Sequence, residues 1–435
     1  MWLPWLLLAC LLPGAATAWG QQPAGAAAPS GNGEDPAKDI LIEGIGFAKL
    51  VLQLEPAAAL QDVPNFARLR RLLEKNLCWS GVFHLKKGSR KRCRPRAAAG
   101  RADMRLEMNL GQGALELRLV DLGPENLVLH RSRLPLDTAV PEARVMDVVN
   151  RLTERITGQR GLLGSAIAFV LRQPRYAKVI VATDTHGLII KPISHNRGIN
   201  LLPKWAPDGL GMVYTVLGNR GTKIFYHTFG NRGVNGYLTQ RGTLNTGGTF
   251  FPDGKKLVLT MSVEKSADLY LLDVATKDRR RLTFRAGIET QADMAPDGKK
   301  VVFVSDRTRT PQVYLLDLET GEDLRLTFDG VYNADPKWSP DGQLILFTKR
   351  VRGLEQIHIM DGFGENVREV TRGRFVAEQA EWSPDGRQIV FTSNRTGDFK
   401  LYIVSSDGTG LRRLTRTPKG FEETSPAWNI RRLAR

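Results

Sequence analysis

Trp382-Ser383-Pro384-Asp385-Gly386 decides the fold, because close copies of it recur through the C-terminal half of the chain. They read Trp205-Ala206-Pro207-Asp208-Gly209, Phe250-Phe251-Pro252-Asp253-Gly254, Met294-Ala295-Pro296-Asp297-Gly298 and Trp338-Ser339-Pro340-Asp341-Gly342. Successive prolines stand 45, 44, 44 and 44 residues apart. A fixed period of this size marks a repeat architecture, in which each unit buries its apolar face against its neighbours. Pro presets φ and Gly accepts positive φ, so each Pro-Asp-Gly is a tight turn between two strands.

Read outward from that turn, one unit has four strand-length pieces: Ala380 to Trp382, Gln388 to Thr392, Lys400 to Val404 and Leu411 to Thr415. Four short antiparallel strands in about 44 residues make a propeller blade. After the fifth copy, Ser425-Pro426-Ala427-Trp428 repeats the innermost strand, and the sequence then runs only to Arg435. The three strands missing there stand before the first copy, at Ile167 to Leu171, Lys178 to Asp184 and Gly187 to Ile190. The reading is an all-β six-bladed propeller over 162–435, its final blade closed by one C-terminal and three N-terminal strands, which leaves no sheet edge open at the seam.

Residues 39–161 read as a small N-terminal α/β domain. Ile40 to Ile42, Lys49 to Leu54 and Val82 to Leu85 are short strands, and Arg105 to Leu110 with Ala114 to Asp121 form a hairpin through Gly111-Gln112-Gly113. Phe66, Leu69, Leu72, Leu73 and Leu77 fall at helical spacing behind Asn65, the expected N-cap. A second helix runs from Pro141 to Thr157, with Val145, Val148, Val149, Leu152 and Ile156 on one face.

Residues 19–38 are rich in Ala, Gly, Pro and small polar groups, and they cannot bury enough apolar area to offset ordering entropy. They read as a low-complexity flexible arm, or as a tail that orders on a partner. Residues 1–18 carry the apolar run Leu3 to Leu12, then Pro13-Gly14 and the small-residue cleavage pattern Ala16-Thr17-Ala18, which is a signal peptide for export. Leu7-Leu8-Ala9-Cys10 faintly offers a lipoprotein reading instead. No later stretch reaches the ~18 apolar residues of a transmembrane segment, so the mature chain is expected to carry none.

The 435 residues are 42% hydrophobic and 8% aromatic, which suits a globular protein, and carry a formal charge of +17. That charge fits nucleic acid, anionic lipid or polymer, or a basic proteome. The basic run Lys86 to Arg96 has no interleaved aromatics, no recognition helix and no zinc ligands, so it reads as a solvated loop and no nucleic-acid partner is expected. Cys78 and Cys93 remain after export as a possible disulfide, which would contribute roughly 3 kcal/mol; two separate thiols are the other reading.

Propeller ligands usually sit over the central channel. Seven positions before each Pro of Pro-Asp-Gly stand Asn200, Asn245, Glu289, Asn333 and Ala377, and the same register before Trp428 gives Glu423. One position later stand Leu201, Thr246, Thr290, Ala334, Glu378 and Thr424. Short polar side chains therefore recur once per blade around one mouth of the channel. They are candidates for partner binding, or for shaping the local backbone. The Pro-Asp-Gly aspartates lie at the opposite mouth and read as turn-formers.

The repeats, the terminal Pro426-Ala427-Trp428, the joint Leu152 to Gly158 running into Ile167 to Val170, and the export signal together resemble the TolB family of the periplasmic Tol-Pal system. Phe66-Ala67-Arg68-Leu69 through Leu77, followed by Ser80-Gly81-Val82-Phe83, is similar to that family's first helix and its turn. The resemblance spans roughly 39–435. It implies a non-enzymatic, monomeric envelope adaptor without cofactor or metal, serving outer-membrane integrity and cell division. It further implies a Pal-like peptidoglycan-associated lipoprotein on the channel mouth, with Asn245, Thr246, Thr290 and Thr424 as matching contacts, and a TolA-like inner-membrane protein at the N-terminal region. Two departures stand out: the arm at 19–38, and Leu244 where the family often has His. A propeller-type peptidase is the rival class, but it needs a Gly-x-Ser-x-Gly elbow that the sequence lacks. A propeller lyase would want His, Asp or Arg converging at one mouth, and the histidines are scattered. Another exported propeller, binding a different envelope protein, is the third reading.

Overall fold

The computed structural model describes residues 49–63, 65–86, 102–136, 142–173, 178–188, 190–194, 198–230, 235–239, 244–263, 266–406 and 408–432. The export signal, the arm, the strand expected at Ile40 to Ile42, most of the basic run and Cys93 lie outside them. Cys78 is disulfide-bonded.

Alternating apolar residues give five N-terminal strands: β1 (Leu50–Pro56), β2 (Phe83–Leu85), β3 (Met104–Gly111), β4 (Ala114–Asp121) and β5 (Val128–Pro135). They form one sheet in the order β2-β1-β3-β4-β5. β1 runs parallel to β2 and β3, while β3, β4 and β5 form an antiparallel meander. The helices α1 (Phe66–Trp79) and α2 (Glu142–Thr157) bury Leu69, Leu73, Leu77, Val145, Val149 and Leu152 against Leu52, Leu106, Leu117 and Leu119 of the sheet. Each such side chain contributes roughly 1.5–3 kcal/mol.

Two sequence expectations change here. Asn65 does not cap α1 with its side chain; it sits at φ 65°, and only its carbonyl accepts, from Arg68 N and Leu69 N. Asn tolerates this left-handed conformation, so it turns the chain into the helix rather than capping it. β5 was not expected, because an edge strand holding Arg131 and Arg133 shows little apolar alternation.

The rest is a ring of four-stranded sheets. Their innermost strands are Ile199–Trp205, Leu244–Phe250, Glu289–Met294, Asn333–Trp338, Ala377–Trp382 and Glu422–Arg432. The last pairs with Ser165–Arg172, which continues into Lys178–Asp184 and Ile190–Pro192. This is the six-bladed closure expected from the repeats. Trp428 Nε1 donates to Ser165 Oγ at 2.8 Å across the seam, and Arg172 pairs with Glu422 at 2.8 Å. Phe169, Phe303, Phe347 and Phe391 occupy one register in their second strands and are fully buried between blades.

At every Pro-Asp-Gly turn the aspartate Oδ1 accepts a backbone N–H two residues on, from Leu210, Lys255, Lys299, Gln343 and Arg387 at 2.8 to 3.2 Å. The turn-former reading of these aspartates therefore holds. The α/β region packs on this side of the ring. Gln388 Nε2 donates to the Trp79 carbonyl at 3.1 Å, the Arg412 guanidinium lies 4.2 Å from the Trp79 ring centroid, and Asp147 pairs with Arg432 at 2.5 Å. Among the described residues, these contacts with the α/β region lie away from the opposite mouth of the channel.

Candidate partner-binding mouth of the propeller

Each innermost strand carries a bulge where its ladder with the second strand slips, and Glu422–Arg432 carries a second one between Trp428 and Arg432. The bulged residues are Leu202, Gly247, Gln291, Asp335, Gln379 and Ser425, all at φ between 50° and 69°. A bulge re-aims side chains and ends simple alternation. Here it turns successive residues of every inner strand toward the axis. Holding non-glycine residues left-handed costs ~1 kcal/mol or more each, and the packed ring keeps them there.

The resulting channel holds a cavity of about 100 Å³. Thr246, Thr290, Ala334 and Glu378 line it, as do the bulged residues. Deeper in stand Lys204, Asp293, Lys337 and Glu381. Lys204 Nζ lies 3.1 Å from Asp293 Oδ1 and 3.1 Å from Glu381 Oε1, and Lys337 Nζ lies 3.1 Å from Asp335 Oδ1. Burial alone would pull the Lys204 ammonium down, but Asp293 and Glu381 outweigh it and hold it above the ordinary lysine range. The deep channel is thus a set of mutually satisfied charges. Among the described residues, no group of three or more His, Cys, Asp or Glu is placed to hold a metal ion.

Nearer the mouth, Glu378 is pushed up to about 8 by burial, with the Glu355 and Asp335 carboxylates adding to it. Its side chain is a largely neutral acid at neutral pH, able to donate a hydrogen bond to something entering the channel.

The residues expected to ring the mouth divide into two groups. Thr246, Thr290 and Glu378 do line the channel. Asn200, Asn245, Glu289, Asn333 and Glu423 are 0% exposed; the three Asn and Glu423 bind into the preceding blade, and Glu289 pairs with Arg307 of its own blade. Asn200 Nδ2 donates to the Lys178 carbonyl at 3.2 Å, Asn245 Nδ2 to the Thr222 carbonyl at 2.9 Å, and Asn333 Nδ2 to Gln312 Oε1 at 2.9 Å. Glu423 Oε2 accepts from Leu401 N at 2.9 Å, and Glu289 Oε1 accepts from Arg307 at 2.5 Å. Thr424 is 4% exposed and is not among the lining residues. Sequence reasoning missed Lys204, Asp293, Lys337 and Glu381. Their visible trace was a charge placed directly before the aromatic or Met residue that opens four of the five turn signatures.

Residues 153–432 match a family model described as the TolB beta propeller domain. The chain belongs to that family. It is 31% identical over 159 residues to the Tol-Pal system protein TolB of Desulfotalea psychrophila (strain LSv54 / DSM 12343), a match covering 37% of this chain and 36% of that one. To the Tol-Pal system protein TolB of Desulfosudis oleivorans (strain DSM 6200 / JCM 39069 / Hxd3) it is 31% identical over 176 residues, covering 40% and 39%. The chain thus spans less than two fifths of the length of these curated TolB relatives. The crystal structure of TolB from Acinetobacter baumannii superposes with a TM-score of 0.69 at 26% identity, over 88% of this chain and 97% of that one. The likeness to a solved TolB therefore extends beyond the ring into the α/β region. Among the described residues no helix is long and apolar enough to cross a membrane.

Proposed function

We propose that this chain is a non-enzymatic periplasmic adaptor of the Tol-Pal cell-envelope system, holding a Pal-like peptidoglycan-associated lipoprotein on the channel mouth of its propeller. In this role it supports outer-membrane integrity and cell division. The observation that carries the reading is the pairing of TolB-family membership with an α/β region whose described contacts with the ring lie at the other end of the channel. Thr246, Thr290 and Glu378 are the proposed direct contacts. Asn200, Asn245, Glu289, Asn333, Glu423 and Thr424 set the strand positions that present them. A TolA-like inner-membrane protein is the proposed partner of the N-terminal region, and residues 1–18 are the proposed export signal. No catalytic step belongs to this reading, since the charged groups of the deep channel are spent on one another.

The test is capture of the cognate lipoprotein. Thr246→Arg with Thr290→Arg fills the mouth with two long side chains and is expected to abolish capture in a pull-down while the variant melts within a few degrees of the parent. A folded double variant that still captures the lipoprotein sinks the assignment of the mouth.

A further inference from the structure

In three consecutive blades the outer strand is followed by a Thr whose hydroxyl is pinned to the third strand. Thr283, Thr327 and Thr371 Oγ1 accept from Leu269, Val313 and Ile357 N at 3.0, 2.9 and 3.0 Å. In the next blade the Glu423 carboxylate takes the equivalent N–H, that of Leu401, and holds Thr415 beside it. This anchoring places the following residue at the same point of the face around the mouth in blade after blade.

The geometry repeats while the residue changes. The projecting side chains are Phe284, Phe328, Arg372 and Arg416, all exposed, the two Phe at 72% and 73%. Val331 stands 65% exposed beside the aromatic pair, and Arg374 and Lys419 stand exposed beside the arginines. Among the described residues, Arg374, Arg416 and Lys419 have no acidic partner, although nearby carboxylates such as Asp329 and Glu369 are already paired. Solvent-facing Phe rings contribute little to folding, and unpaired like charges oppose it. The Arg281 and Arg325 guanidiniums lie 5.1 and 4.9 Å from the Phe284 and Phe328 ring centroids, yet both rings stay largely exposed, so a face with an apolar half and a cationic half is a surface suited to contact.

We propose that the mouth is a polarised docking rim. Its protein partner lays apolar side chains on Phe284, Phe328 and Val331 and sets carboxylates against Arg374, Arg416 and Lys419, which fixes the partner's rotation about the channel axis. The proposal rests on the adaptor reading above, and its partner is that same lipoprotein, carrying an acidic patch next to an apolar one.

The probe is the purified soluble domain of the cognate lipoprotein, titrated against the full mature chain. Arg374→Glu/Arg416→Glu/Lys419→Glu is expected to weaken binding about 100-fold at low salt, mainly through slower association, with the loss shrinking as salt rises. Phe284→Ser/Phe328→Ser is expected to weaken it about 10-fold through faster dissociation, with little salt dependence. Lys255→Glu/Lys299→Glu, at the opposite end of the ring, is the control and should change binding less than twofold. If the parent binds and both rim variants bind within twofold of it, the polarised rim is overturned while the adaptor reading survives. If the parent itself does not bind, both fall. If the charge reversal abolishes binding to phosphatidylglycerol vesicles but leaves the lipoprotein untouched, the cations serve a membrane surface and the proposal is likewise overturned.

Discussion

The two ends of the ring are built on opposite plans. At the Pro-Asp-Gly end the chemistry is nearly constant, with a proline presetting φ, an aspartate accepting a backbone N–H and a glycine at positive φ in unit after unit. At the other mouth the backbone is equally constant, but the side chains it presents change around the ring, from Phe284 and Phe328 to Arg372 and Arg416. Constant residues on a constant backbone are what a turn requires. Variable residues on a constant backbone are what recognition of an asymmetric partner requires. The most conspicuous repeat therefore marks the end of the ring that holds itself together and touches the α/β region, and the partner is sought at the other end.

This contrast is open to attack by mutation. The largest effect is expected at the seam, which serves both ends. Trp428 is 7% exposed and donates to Ser165, so Trp428→Ala is expected to cost ~3–5 kcal/mol, read as a lower denaturant midpoint together with lost lipoprotein capture. Next is the constant end alone. Asp385→Ala removes the acceptor for Arg387 N and for the Ser383 hydroxyl, and about 1–2 kcal/mol of stability should go with it. Lipoprotein affinity should stay within twofold; a large loss of affinity would show that the two ends are not separate in role.

The smallest effect concerns the mouth and depends on pH. Glu378 has its folded value raised to about 8 from an ordinary 4.5. For an acid shifted this way, stability is fully present below the ordinary value and is lost as pH rises through the folded one. Wild type should therefore weaken between about pH 4.5 and 8, while Glu378→Gln should not. Chemical denaturation should find the two equal near pH 4 and the variant more stable by on the order of 1–2 kcal/mol at pH 8.5. A difference of the opposite sign would place an ionised carboxylate at the mouth.

Most of the architecture could be read without coordinates, because Pro, Gly and Trp act locally and their period counts blades. Closure followed from the same count, since the unpaired inner strand at Ser425 to Trp428 and the strands at 165–192 complete each other. The site was less legible. Counting placed Thr246, Thr290 and Glu378 in the channel, yet it also selected Asn245 and Asn333, whose side chains turn into the preceding blade. The cause is the bulge at Gly247, Asp335 and their counterparts. It breaks period-two alternation in the middle of a six- or seven-residue strand, and no single residue type announces it. β5 escaped for a different reason: an edge strand is free to be polar, so burial leaves no imprint on it.

The seam also governs the order in which the molecule can be assembled. Arg172 and Glu422, partners across it, are 250 positions apart in sequence. Until Glu422–Arg432 emerges from synthesis, Ser165–Arg172, buried along almost its whole length in the finished ring, offers an unpaired apolar edge to whatever is near. Pairing over such a span is slow, so the growing chain is most exposed to wrong strand pairing while its ring is nearly complete. A strand that closes a circle is thus also a timer, and shielding that edge until the ring closes becomes the cell's task.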